Sequence, residues 1–113
     1  MRTIIAGSRK GTTKDHLYSA IKNCGWLPTT VISGTAQGAD KLGEFWATEF
    51  SIPCERFPAD WNLYGKAAGY KRNEQMAEAA EALIALWDGK SPGTKHMIDI
   101  AKRKNLRVYV YIF

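Results

Sequence analysis

The chain has 113 residues, 45% of them hydrophobic, and a formal net charge of +5. This is the size of a single domain, expected over residues 1–113, with enough apolar content for a core; no run approaches the roughly 18 apolar residues of a membrane span. With two isolated cysteines lacking C-x-x-C spacing, two histidines and an apolar run at Ile4–Ala6 too short for a signal-peptide core, the expectation is a reduced, cytoplasmic protein without a zinc site or cofactor.

Arg2–Ala6 reads as a buried strand ending at Gly7. Thr12 or Thr13 caps a helix over Lys14–Asn23, with Leu17, Ala20 and Ile21 at helical spacing, and Gly25 stops it. The β-branched run Thr29–Ser33 predicts a second strand. A helix over Gly38–Phe50 follows, with Ala39, Leu42, Phe45, Trp46 and Phe50 on or near one face. Pro53–Phe57 is a short third strand and Pro58–Gly65 a long loop. Lys66–Glu81 is a helix, Ala82–Trp87 a fourth strand, and Thr94–Lys104 a helix with Met97, Ile98 and Ala101 inward. Arg107–Phe113 is a fifth strand, apolar on both faces; it reads either as a sheet edge that joins two copies into a homo-oligomer or as an ordinary buried strand.

Strands alternating with helices imply parallel βαβ units, hence an α/β, three-layer, Rossmann-like domain with a five-stranded parallel sheet in the order 3-2-1-4-5. Ligands of such sheets sit at the carboxyl ends of the strands, where the chain direction switches between strands 1 and 4. Three glycine-bearing loops would converge there: Gly7–Lys10, Ser33–Asp40 and Trp87–Thr94. Glycine admits close backbone approach, and helix N-termini are electropositive, so such a mouth suits phosphate.

In the first loop Gly7 forms the turn, Ser8 offers a hydroxyl and an N–H, and Arg9 can grip a phosphate bidentately. The tripeptide alone also reads as a polar turn. In the second loop Ser33, Gly34 and Gly38 offer backbone for an anion, and Asp40 either caps its helix or accepts a ribose hydroxyl. In the third, Gly89, Ser91 and Gly93 shape the turn and Thr94 is placed to cap the following helix while touching a phosphate. Arg72 and Asn73 lie in the third helix, Arg72 facing either the crevice or solvent. Asp60, Trp61 and Tyr64 lie in the preceding loop, where Trp61 either stacks on a base or plugs the core. The dispersed basic residues favour a phosphate ligand over nucleic acid.

The pieces AGSRK, SGTAQGAD, FPADWNLYGKAAGYKRNEQM and ALWDGKSPGTKHMI, in this order, resemble the SLOG superfamily around DprA and the LOG proteins, in its branch of small YspA/YpsA-related proteins. The resemblance implies a nucleotide or nucleotide-derived ligand contacted by Gly7, Ser8, Arg9, Ser33, Gly34, Gly38, Asp40, Arg72, Asn73, Gly89, Ser91, Gly93 and Thr94. LOG proteins are phosphoribohydrolases with a signature resembling R-K-x-x-M, an apolar strand, and P-G-G-x-G-T-x-x-E. Arg72 and Met76 fit the first part, Gly93 and Thr94 the G-T, but Asn73 replaces the lysine and Met97 the glutamate. Glycosidic cleavage needs a carboxylate, so the hydrolase activity is not carried over. His96 reads either as a general base or as an exposed helix histidine.

The leading expectation is a binder of a nucleotide-like small molecule, acting as sensor or carrier, with no membrane association. One alternative is a nucleotide N-glycosidase working through Asp40, Asp60 or Asp88. Another, disfavoured by the lack of a basic cluster, is DprA-like binding of single-stranded nucleic acid with stacking by Trp61 or Tyr64.

Overall fold

A computed structural model describes all of residues 1–113. Five parallel strands form one sheet in the order β3-β2-β1-β4-β5, as expected. They are β1 (Arg2–Gly7), β2 (Thr30–Ser33), β3 (Cys54–Arg56), β4 (Ala82–Trp87) and β5 (Arg107–Ile112). Helices α1 (Lys14–Asn23), α2 (Ala39–Glu49), α4 (Ala68–Ala79) and α5 (Pro92–Arg103) make the crossovers, and a four-residue helix α3 (Trp61–Tyr64) precedes α4.

Central β1 pairs with β2 on one side, Thr3 opposite Val31, and with β4 on the other, Ile5 opposite Ile84. Side chains alternate between the faces of a strand, so Ile4, Ala6, Leu83 and Ala85 turn to one face and Ile5, Ile84 and Leu86 to the other. Met76, Ala77, Met97, Ile98 and Ala101 of α4 and α5 cover the first face. Leu17, Ala20, Ala39, Trp46 and Ala47 of α1 and α2 cover the second. Both faces being covered explains why β1 and β4 are nearly continuous apolar runs. Each fully buried Ile or Leu in them contributes about 1.5–3 kcal/mol.

Helix starts follow local chemistry. Thr13 caps α1, its hydroxyl accepting from His16 N–H at 3.2 Å while the His16 ring accepts from Thr13 N–H at 3.2 Å. Ser91, not Thr94, is the N-cap residue of α5, and Pro92 takes the first helical position, where its missing N–H is harmless. Thr94 is thereby moved into the first turn.

Two further expectations need correction. The segment Pro58–Gly65 is no plain loop: Asp60 accepts from Leu63 N–H at 3.0 Å and starts α3, which leads through a 3₁₀ turn, Gly65–Ala67, into α4. Phe45 and Phe50 are not on the buried face of α2, Phe45 being 74% exposed. The inward face is built from Ala39, Gly43, Ala47 and Trp46, because α2 lies so near the sheet that a Cβ on Gly43 would come 2.8 Å from Ile5 Cβ. No helix is long and apolar enough to cross a membrane.

Candidate functional site

At the carboxyl end of the sheet the β1, β2 and β4 exit loops surround a cleft of about 560 Å³. Of the residues singled out in the sequence, Gly7, Ser8, Arg9, Asp40, Trp61, Arg72, Asn73, Ser91, Gly93 and Thr94 line it. Ser33, Gly34, Gly38, Asp60 and Gly89 do not. Ala6, Met76 and Met97 supply apolar lining, and Lys10 and Lys66, which carry no motif, add charge. The lining thus carries four cationic side chains, Arg9, Lys10, Lys66 and Arg72, against two carboxylates, Asp40 and Asp88.

Ser8 joins the loops. Its N–H, expected to be offered to a ligand, is donated to Leu86 O at 2.8 Å, while its carbonyl accepts from Ala39 N–H at 3.2 Å. Its hydroxyl accepts from Asp88 N–H at 3.0 Å and lies 3.2 Å from Ser91 Oγ. Gly7 is required beside it, since a Cβ there would collide with the Leu86 carbonyl. The Asp88 carboxylate in turn accepts from the N–H groups of Lys90 and Ser91, both at 2.8 Å, and from Ser91 Oγ at 3.0 Å. The Ser91 and Lys90 backbone hydrogen bonds hold its pKa down at about 2. Asp88 is therefore a loop clasp.

The second loop is folded onto itself. Ser33 is fully buried; its hydroxyl donates to Glu44 Oε2 at 2.6 Å and accepts from Thr35 N–H at 3.1 Å. Gly38 has φ 78°, and any Cβ would strike the carbonyls of Ser8 and Arg9. A Cβ on Gly34 would come 2.7 Å from Arg72 Nη1 and 2.8 Å from Asp40 Oδ2, so glycine lets those two groups close on the loop. These positions serve the cleft from behind its wall.

Asp40 is 5% exposed, and its Oδ2 accepts from Ala36 N–H at 3.0 Å. Burial pushes its carboxyl up to about 6, against the opposing pull of the Ala36 hydrogen bond and of Arg72 and Arg9. Arg72 is half-buried, not a surface arginine: it donates to the Gly34 carbonyl and, through Nε, to Asn73 Oδ1 at 3.1 Å. Burial lowers its pKa, Asp40 opposing and Arg9 reinforcing the effect. Asn73 Nδ2 lies 3.1 Å from His96 Nδ1 and donates to Gly93 O at 3.4 Å. His96 stacks on Tyr70, ring centroids 4.1 Å apart, and burial lowers its pKa. It is not the exposed helix histidine of the sequence reading, nor does it line the cleft.

The third loop ends differently. No side chain caps α5, and the N–H groups of Gly93 and Thr94 have no partner. The Thr94 hydroxyl has none either, although Thr94 is only 6% exposed and faces the cleft. Nothing lies within 4 Å of a Cβ built on Gly93. Two amide N–H groups without a carbonyl partner and the Thr94 hydroxyl thus open onto a cationic cleft, the arrangement that accepts an anion. Met97, at the position of the LOG glutamate, is buried in the cleft lining. Trp61 is 56% exposed on the cleft wall, which rules out its plugging the core.

Lys10, Lys66 and Tyr70 carry no positional signal in the sequence, being exposed lysines near helix starts and a tyrosine in α4; only the convergence of loops gives them a role. Among known proteins, the family model described as YAcAr (YspA, cpYpsA-related SLOG family) matches residues 1–64, from β1 through α3. The Gene 61 protein of Mycobacterium phage D29 is similar: 32% identical over 116 residues, covering 95% of this chain and 93% of that protein. The chain belongs to the YspA, cpYpsA-related SLOG family.

Proposed function

We propose that this SLOG-family protein binds a nucleotide or nucleotide-derived ligand in the cleft and serves as its sensor or carrier. Family membership supports a nucleotide-related small molecule in general. The observation that carries the finer reading is the uncapped start of α5, with the partnerless Thr94 hydroxyl, inside a cleft ringed by Arg9, Lys10, Lys66 and Arg72. A phosphate would satisfy the free N–H groups and the hydroxyl while Arg9 supplies charge. The volume, about 560 Å³, lies within the common range for small-ligand sites.

A time course by saturation-transfer NMR with AMP, NAD and ADP-ribose tests this in one tube. Transfer to the protons of one ligand, with no new base or ribose-phosphate signals, is the expected result. Arg9→Ala and Arg72→Ala each weaken that ligand about tenfold or more, the scale of a lost charge-assisted hydrogen bond. Unchanged affinity in both, with folding intact, rejects the site.

One observation favours a second reading. Asp40 is a cleft carboxyl held at about 6, a value suited to proton transfer near neutral pH. It makes Asp40 the candidate acid or base of an N-glycosidase, since Asp88 is engaged in its loop and Asp60 caps α3 outside the cleft. Release of free base that stops in Asp40→Asn, with binding retained, would establish turnover.

A further inference from the structure

The cleft lining combines two kinds of surface: the loops Gly7–Lys10 and Ser91–Thr94, which suit a phosphate, and the group Trp61, Lys66, Gly69 and Tyr70, which brings two aromatic rings. Tyr70 is held in place: it stacks on His96 at 4.1 Å with an interplanar angle of 25°, and His96 lies against Asn73. Trp61 is the opposite case. It pairs with no other ring, its indole N–H has no hydrogen-bond partner, and no residue of α3 is buried. A tryptophan presents about 150–250 Å² of surface, so a half-open one on a cleft wall is an unfilled stacking platform.

The side chains of this second group offer few acceptors with which to read a base edge. Discriminating one base from another requires matched donors and acceptors. Lys66 only donates, Gly69 has no side chain, and the indole of Trp61 only donates. The Tyr70 hydroxyl is the single side-chain acceptor on that wall. Stacking accepts any base, because every base has a π-face.

We infer that Trp61 and Tyr70 hold the ring of the ligand by stacking, so that the site selects on phosphate and sugar and tolerates different bases. The inference rests on the proposed nucleotide ligand. It adds that affinity comes from two separable halves, and that α3 supplies the ring half.

Titration calorimetry on the full chain with AMP, UMP and ribose 5-phosphate tests it. AMP and UMP are expected to bind within about tenfold of each other. Trp61→Ala should weaken AMP about tenfold or more, the scale of one lost base–aromatic stack, and leave ribose 5-phosphate within about twofold. Trp61→Phe should recover most of the AMP affinity. The exposure of Trp61 makes misfolding a poor explanation for any loss. The inference is overturned if Trp61→Ala leaves AMP unchanged, if it weakens AMP and ribose 5-phosphate equally, or if the parent separates AMP from UMP by more than about a hundredfold. Failure of the parent to bind all three rejects the nucleotide ligand itself, whereas binding that Arg9→Ala weakens for all three and Trp61→Ala does not touch overturns the stacking inference alone.

Discussion

The N-termini of α2 and α5 look alike in sequence, each preceded by a glycine-bearing strand exit, yet the structure uses them in opposite ways. At α2 the Ala39 N–H is donated to Ser8 O, the carbonyls of Ser8 and Arg9 press against Gly38, and Asp40 sits in the first turn. The positive end of that helix is already answered by oxygen atoms of the protein. At α5 the Gly93 and Thr94 N–H groups and the Thr94 hydroxyl face the cleft unanswered. A glycine-rich loop before a helix is thus equally a clasp or a cradle; the partners of its amides decide which.

The sharpest way to break this comparison is to place the same side chain at both ends. Gly38→Ala should destabilise the fold by about 2–4 kcal/mol, because φ 78° and two backbone carbonyls both oppose a Cβ. Gly93→Ala, with open space around it and a helical position, should be neutral or stabilise by up to about 1 kcal/mol. Urea denaturation midpoints at equal m values read both. Comparable losses in the two variants would dissolve the distinction.

A smaller effect comes from the carboxylate that α2 keeps for itself. The Asp40 carboxyl moves from 3.8 to about 6 on folding, so between those values the native chain holds a proton that the unfolded chain has lost. Stability contributed by this group is present below pH 4 and falls as pH rises to about 6, by roughly 2–3 kcal/mol at most. Asp40→Asn should remove that fall. Urea titrations at several pH values between 4 and 7 would show parallel curves for parent and variant if Asp40 were not the cause.

The smallest change is at α5. Thr94→Val keeps the shape and deletes only a hydroxyl that has no partner within the protein. Thermal stability should not drop, whereas ligand affinity should fall roughly fivefold, the scale of one hydrogen bond. A lowered melting temperature with unaltered affinity would make Thr94 a structural residue like Ser33.

The strand order, the two-sided burial and the meeting of three loops were legible in the sequence, because β-branched apolar runs, helix spacing and glycine punctuation are local signals that agree with one another. Lys14–Asn23 and Ala82–Trp87 match their expected limits, while the other elements move at one or both ends by a residue or two, at caps such as Gly38 and Ser91. What was not legible depends on distance across the fold. Gly43 marks a close approach to Ile5, which rotates Phe45 outward, and periodicity alone cannot report how near a helix lies to its sheet. The roles of Ser33 and Gly34 were hidden for the same reason: Glu44 and Arg72, which explain them, come from other segments. Trp61 left packing and stacking open until its exposure was known.

The Ser8 hydroxyl, bonded to the Asp88 amide and close to Ser91 Oγ, makes the first and third loops a single mechanical part. The Ser8 carbonyl ties α2 to the same part. Relatives of this protein should therefore exchange these loops as a matched set, since a new sequence in one would meet a joint cut for the old sequence of the other.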